Sequence, residues 1–194
     1  MHKNKYISLE ELKGEGFNKE KFSSCIFMGA SLKLSAFKNC MFKECDFSGV
    51  VFNMTSFENC SFIECKLSNL DFSEVEFKQS RFERSIIKNS IFQKYETSEK
   101  NTTTILDLQN TIFSECDLSA SVFIKCNLTS SSFVDSNLEE VYFESCNLAK
   151  SDFTKAKIKR TNFSQSKIDA TIIDFEGLIA FGLSKGFVLS ETSL

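Results

Sequence analysis

Large apolar side chains recur at every fifth residue along most of this chain. The first series runs Phe22, Phe27, Leu32, Phe37, Phe42, Phe47, Phe52, Phe57, Phe62, Leu67, Phe72, Phe77, Phe82, Ile87 and Phe92, with no polar member. Leu12 and Phe17 carry the phase backwards. After an interruption it resumes one position later, at Leu108, Phe113, Leu118, Phe123, Leu128, Phe133, Leu138, Phe143, Leu148, Phe153, Ile158, Phe163, Ile168 and Ile173. Two residues before each member stands a second, mostly small residue, such as Cys40, Cys45, Thr55, Cys116, Ser121 and Ser136; Leu70 is the largest exception. A period of five matches neither a helix nor a simple strand. Two inward positions per five, one large and one small, fit an all-β solenoid wall with a corner in every repeat.

The tail breaks this rule. Phe175, Leu178, Ile179 and Leu183 share one stripe of a predicted helix. Asp174 is placed to cap its start and Gly186 to stop it. Phe187, Val188 and Leu189 follow as a short apolar strand.

The repeat resembles that of the pentapeptide-repeat proteins: a small residue, a polar one, Leu or Phe, then two variable positions. The match covers roughly residues 20–175 and recurs about 29 times. The resemblance implies a right-handed quadrilateral β-helix with four repeats per coil. About seven coils at the strand spacing would make a rod of roughly 35 Å. From Leu108 to Phe163, Phe alternates with Leu or Ile, which places Phe on two opposite faces of such a rod.

Composition narrows the chemistry. The 194 residues include 22 Phe, no Trp and no Pro, so every backbone N–H is kept for continuous ladders. All eight cysteines fall in the small-residue series. In a twenty-residue coil, Cys25, Cys45 and Cys65 share one column, Cys40 and Cys60 a second, and Cys126 and Cys146 a third. Neighbours at the ladder spacing are too far apart for a disulfide, and zinc needs ligands from several directions, so reduced thiols and no metal are expected. With no secretory leader after MHKNK and no apolar run of membrane length, a cytoplasmic protein without a membrane partner is expected. The only histidine is His2, read as part of a mobile terminus, and glycine-rich phosphate loops are absent. A filled rod offers no concave site, so neither enzyme activity nor a cofactor is expected.

The chain divides into a cap segment (1–16), a first set of coils (17–94), an inserted loop (95–107), a second set (108–173) and a cap or dimerisation tail (174–194). Ser8 and Glu11 match a short capping box. Up to eleven residues of the interruption are extra. Two readings of the loop stand, a solvated excursion or a recognition element carrying Tyr95, Glu96, Glu99 and Lys100. The tail is a plain lid or a two-fold joint. Its helix–Gly–strand order resembles the dimerisation module of Qnr-type quinolone-resistance proteins, which implies a homodimer through Phe175, Leu178, Phe181, Phe187, Val188 and Leu189.

Net charge is only −3, unevenly placed. Asp107, Glu115, Asp117, Asp135, Glu139, Glu140 and Glu144 face a single Lys125, and a basic cluster of Lys150, Lys155, Lys157, Lys159, Arg160 and Lys167 follows. The Qnr resemblance implies a duplex-like rod that binds type II DNA topoisomerases, with Asp135, Glu139, Glu140 and Glu144 in the acidic contact band. A scaffold for another cytosolic protein and nucleic-acid binding through the basic cluster are the other readings.

Overall fold

The computed structural model describes residues 2–3, 12, 14–94 and 105–190, and their main body is a four-sided parallel β-helix. Strands of two to four residues pair in parallel with strands one coil away, at a constant offset of twenty: Phe22 with Phe42, Phe37 with Phe57, Leu32 with Phe52. We number the faces by the columns beginning Phe22, Phe27, Leu32 and Phe37. Across the interruption the offset rises to 31, with Phe82 on Phe113 and Phe92 on Phe123, eleven more than one coil. Leu106–Asp107 already pair with Cys126–Asn127, so the wall resumes before Leu108 and the inserted segment ends earlier than the expected 107. Leu106 is buried two places before Leu108, in the small-residue register.

Every centre from Phe22 to Ile158 is buried. On face one, Phe22, Phe42, Phe62, Phe82, Phe113, Phe133 and Phe153 stack with centroids 4.8–5.2 Å apart. These seven rings span six coil steps, about 30 Å at the spacing of stacked strands. In the second half the other ring column is face three: Phe123, Phe143 and Phe163 stack at 5.0 and 5.4 Å. The two columns meet edge to face, as Phe123 does with Phe133 at 88°. Phe thus occupies opposite faces there, as the alternation predicts.

The small residues have a second task. Most of the buried hydroxyls and thiols of this series donate to the carbonyl 23 positions back, in the preceding coil. Ser80 donates to Phe57 at 3.2 Å, Ser136 to Phe113 at 2.6 Å and Thr161 to Leu138 at 2.7 Å. Across the insertion the same bond runs 34 positions back, from Ser121 to Ile87 at 2.7 Å. All eight cysteines are free and buried, and Cys45, Cys60 and Cys65 lie 3.4–3.5 Å from the equivalent carbonyls.

The corners carry the unusual backbone. Two residues after almost every centre the chain turns through left-handed φ, in 25 non-glycine residues from Lys19 to Ala170. That conformation costs an ordinary residue about 1 kcal/mol or more. Asn39, Asn59, Asn69, Asn89 and Asn110 supply the side chain that tolerates it best. The corner N–H also joins the ladder, as from Asn39 to the Glu58 carbonyl at 2.8 Å and from Glu44 to Ile63 at 2.9 Å.

The two ends differ. His2–Lys3 form a strand paired with Phe22–Ser23, and the His2 ring stacks on Phe22 at 4.6 Å. His2 therefore lies in the wall rather than in a mobile terminus, at the position one coil before Phe22. The capping-box pair Ser8 and Glu11 lies outside the described residues. At the other end a helix spans Phe175–Ser184.

Candidate interaction surfaces

The C-terminal helix is set by its first residue. Asp174 accepts from the Gly177 N–H at 2.8 Å and from the Lys155 N–H at 2.6 Å, joining helix and coil through one carboxylate. These bonds hold its carboxyl below the usual carboxylate range, the Gly177 bond contributing most. Gly177 is buried against Ile173; a Cβ there would lie 2.9 Å from Ile173 Cγ1. The helix ends in a Schellman motif, with Gly186 at φ +87°, its N–H bonded to Leu183 and the Phe187 N–H to Gly182, both at 3.1 Å.

This anchoring rotates the helix away from the expected stripe. Gly177, Ala180 and Phe181 face the shaft, and Phe181 meets Phe163 edge to face at 5.8 Å. Phe181 is thus part of the lid rather than a free contact residue. Phe175 and Leu178 point outward, 69% and 55% exposed. Phe187–Leu189 form no strand, because within one chain they have no neighbouring edge to pair with; Val188 is 90% exposed. Ile168 and Ile173, members of the repeat, are also open to solvent because the lid covers only part of the last coil. Together these side chains make an apolar end face.

The charged surface is not the linear sequence of acids and bases. Asp135 and Glu140 occupy left-handed corners at either side of face two, and Glu139 lies between them. Glu144 belongs to face three, on the strand Tyr142–Glu144. The next coil sets Lys155, Lys157, Lys159 and Arg160 directly beside the first group: Asn137 bridges Lys157, the Glu140 N–H bonds the Lys159 carbonyl at 3.1 Å, and Arg160 pairs with Glu140. Lys150 and Lys167 stand on the side of face four, so the six-residue basic cluster is divided. Similar cross-coil pairs link Lys38 with Glu58 at 2.7 Å and Arg84 with Glu64 at 3.2 Å. Tyr95, Glu96, Glu99 and Lys100 lie outside the described residues. Beside the root of that insertion, Asn53–Ser56, Ser73–Glu76 and Lys94 line an open groove of about 600 Å³.

A sequence model of the pentapeptide repeat region matches residues 15–92 and 106–173. The chain belongs to the pentapeptide-repeat family. Its fold is the family's right-handed quadrilateral β-helix, here with one short C-terminal helix. The full-length structure of QnrB1, a plasmid-mediated fluoroquinolone resistance protein, aligns with 96% of this chain and 97% of its own, at 18% identity and a TM-score of 0.73. HetL, a pentapeptide-repeat protein involved in heterocyst differentiation regulation from Nostoc sp. strain PCC 7120, aligns with 82% and 90% of the two chains at 11% identity, with a TM-score of 0.39. No curated protein sequence matches. As in any pentapeptide-repeat rod, the centres and small residues are spent on the shaft, which leaves three positions in five to make a surface. No helix of the described residues is long and apolar enough to cross a membrane.

Proposed function

We propose that this pentapeptide-repeat chain is a rigid, non-enzymatic binding rod whose partner is a protein. The reading taken furthest is a Qnr-like mimic of duplex DNA that docks on the DNA-binding surface of DNA gyrase or topoisomerase IV and shields it from quinolones. What carries the binding-rod reading is the filled shaft. Apolar rings occupy the interior, so the polar chemistry is on a stiff exterior, where complementary fields steer docking. The QnrB1-like length and shape support the topoisomerase reading. Asp135, Glu139, Glu140 and Glu144 are its acidic contacts, and the inserted loop is a second contact element.

A scaffold for another protein is the second reading, and the charge pattern favours it. Arg160 neutralises Glu140, and a row of bases follows the row of acids, so no unbroken phosphate-like track runs along face two. The division of the basic cluster weighs against direct nucleic-acid binding.

Phe175, Leu178, Phe187, Val188 and Leu189 form the joint of a homodimer, and Phe187–Leu189 gain the paired edge they lack in one chain. Phe187→Asp halves the sedimenting mass if so; an unchanged mass makes the tail only a lid. For the topoisomerase reading the decisive assay is gyrase supercoiling under a fluoroquinolone. Restored supercoiling at micromolar protein is expected, and no change leaves the scaffold reading.

A further inference from the structure

The left-handed corners of the rod break their polar pattern at one place. Among the 25 described non-glycine residues in that conformation, Leu34 and Met54 alone carry large apolar side chains; the rest are polar or alanine. Both stand at the corner between faces three and four, in successive coils, and the Leu34 N–H bonds the Asn53 carbonyl at 2.8 Å. The conformation is unfavourable for a large side chain. Burial compensates neither residue: Leu34 is 50% exposed, Met54 69%, and Val51, on the strand leading into the corner, 60%. A local rule broken without gain to the fold points to a functional position.

The next residue of this column, Glu74, is not left-handed, and its corner closes through the Val75 N–H and the Phe72 carbonyl at 3.0 Å. Two adjoining grooves open there. The groove of about 600 Å³ holds Met54 and Val75 beside Glu74 and Glu76. Another of about 480 Å³ holds Val51 beside Asp71 and shares Glu74 with the first. The apolar surface is thus framed by acids: Asp71, Glu74 and Glu76 line the two grooves against one base, Lys94. Glu76 lies 3.7 Å from Lys78, whereas Glu74 is held by the Asn53 amide at 2.5 Å rather than by a cation.

We propose that this corner docks a short basic segment of a partner protein, with aliphatic anchors set between lysines or arginines. The anchors rest on Val51 and on Met54, whose unbranched thioether adapts to differing side chains. The flanking cations meet Asp71 and Glu74, which supply the specificity. An acidic or phosphate-bearing partner would face like charge here. A second copy fits no better, because a two-fold contact through this patch sets the same acids against one another. The inference rests on the binding-rod reading and gives that rod a surface and a partner chemistry.

The probe is a short fluorescein-labelled peptide of leucine and lysine, with a leucine–glutamate peptide of the same order as control. Fluorescence anisotropy is expected to show micromolar binding of the first, weakened by salt, and none of the second. Leu34→Asn combined with Met54→Asn should lower affinity at least about tenfold. Asparagine tolerates the left-handed corner well, so this variant is expected to fold as the wild type does, with circular dichroism as the check. Glu74→Gln should lower affinity severalfold and flatten the salt dependence, while Ile86→Ser, at an exposed aliphatic position on face two, leaves both unchanged. With isotope-labelled methionine methyls, the Met54 signal should move on titration and the Met41 signal stay. No binding of the lysine peptide, equal binding of both peptides, or binding that survives the double asparagine variant overturns the assignment. A Met54 signal that shifts with protein concentration alone also overturns it and gives the corner to a second copy. None of these outcomes alters the supercoiling assay, so the two readings fail separately.

Discussion

Face four changes its construction halfway along the rod. Before the insertion its centres are Phe17, Phe37, Phe57 and Phe77, and the wall is a four-stranded parallel sheet with rings stacked 5.0–5.6 Å apart. Beyond it the centres are Leu108, Leu128 and Leu148, and each is followed by a tight corner closed by its own carbonyl, at 3.1, 3.0 and 3.0 Å. The central residue does not by itself decide this: Phe27, Phe47, Phe72, Phe133 and Phe153 are followed by the same closed corner, at 2.8–3.1 Å, and Leu32 lies in the strand Ser31–Lys33. The family repeat accepts both residues at its centre, and what differs between the halves of face four is a stack of rings against a column of leucines.

The sharpest test of that contrast is removal of one ring and one leucine. Phe57→Ala interrupts a stack on both sides and is expected to cost about 3–5 kcal/mol; Leu128→Ala, in the second half of the same face, about 2–5 kcal/mol, towards the lower end. Equal losses in denaturant titration would mean that the rings add nothing beyond their volume.

A smaller effect probes the junction. Thr111 is fully buried and its hydroxyl is the one buried side-chain oxygen or nitrogen among the described residues without a hydrogen-bond partner. The ladder is stretched beside it, with the Ile112 N–H 3.5 Å from the Ser80 carbonyl. Thr161, fifty residues further along, makes the full bond to Leu138. Thr161→Val should cost about 1–2 kcal/mol, whereas Thr111→Val should be neutral or stabilising. Equal costs would show that the junction satisfies its threonine after all.

The smallest expected effect separates the end of the second half from its body. Asp174 has a depressed folded pKa, so its contribution is present above its unfolded value near 3.9 and fades as pH falls through the lower folded value. Acid should release the helix before the coils lose structure, read as faster amide exchange at Gly177 and Lys155. Simultaneous loss of helix and coils, or Asp174→Asn behaving like wild type in acid, would remove this carboxylate from the docking account.

Much of the shaft was legible because its code is short. Phe62 and Cys60 are inward for reasons contained in five residues, and the eleven-residue excess was countable before any register was seen. The hydrogen bonds of the small column were not legible: nothing local to Ser136 names Phe113 as its acceptor. The acidic band was misleading for the same reason, since Arg160 lies twenty residues from Glu140 yet pairs with it one coil away. The lid was half legible. Asp174 and Gly186 announce their roles, but the Lys155 N–H that fixes the helix rotation is remote in sequence, so the outward face fell on Phe175 and Leu178.

The amino-acid order by itself determined the five-residue period, the inward series and the limits of the helix, because each depends on side-chain size and backbone preference within a few residues. Only the tertiary structure decided which charges oppose one another and which hydroxyl goes without a partner. Those follow from the coil length and the insertion, which bring residues 20 or 31 positions apart into contact.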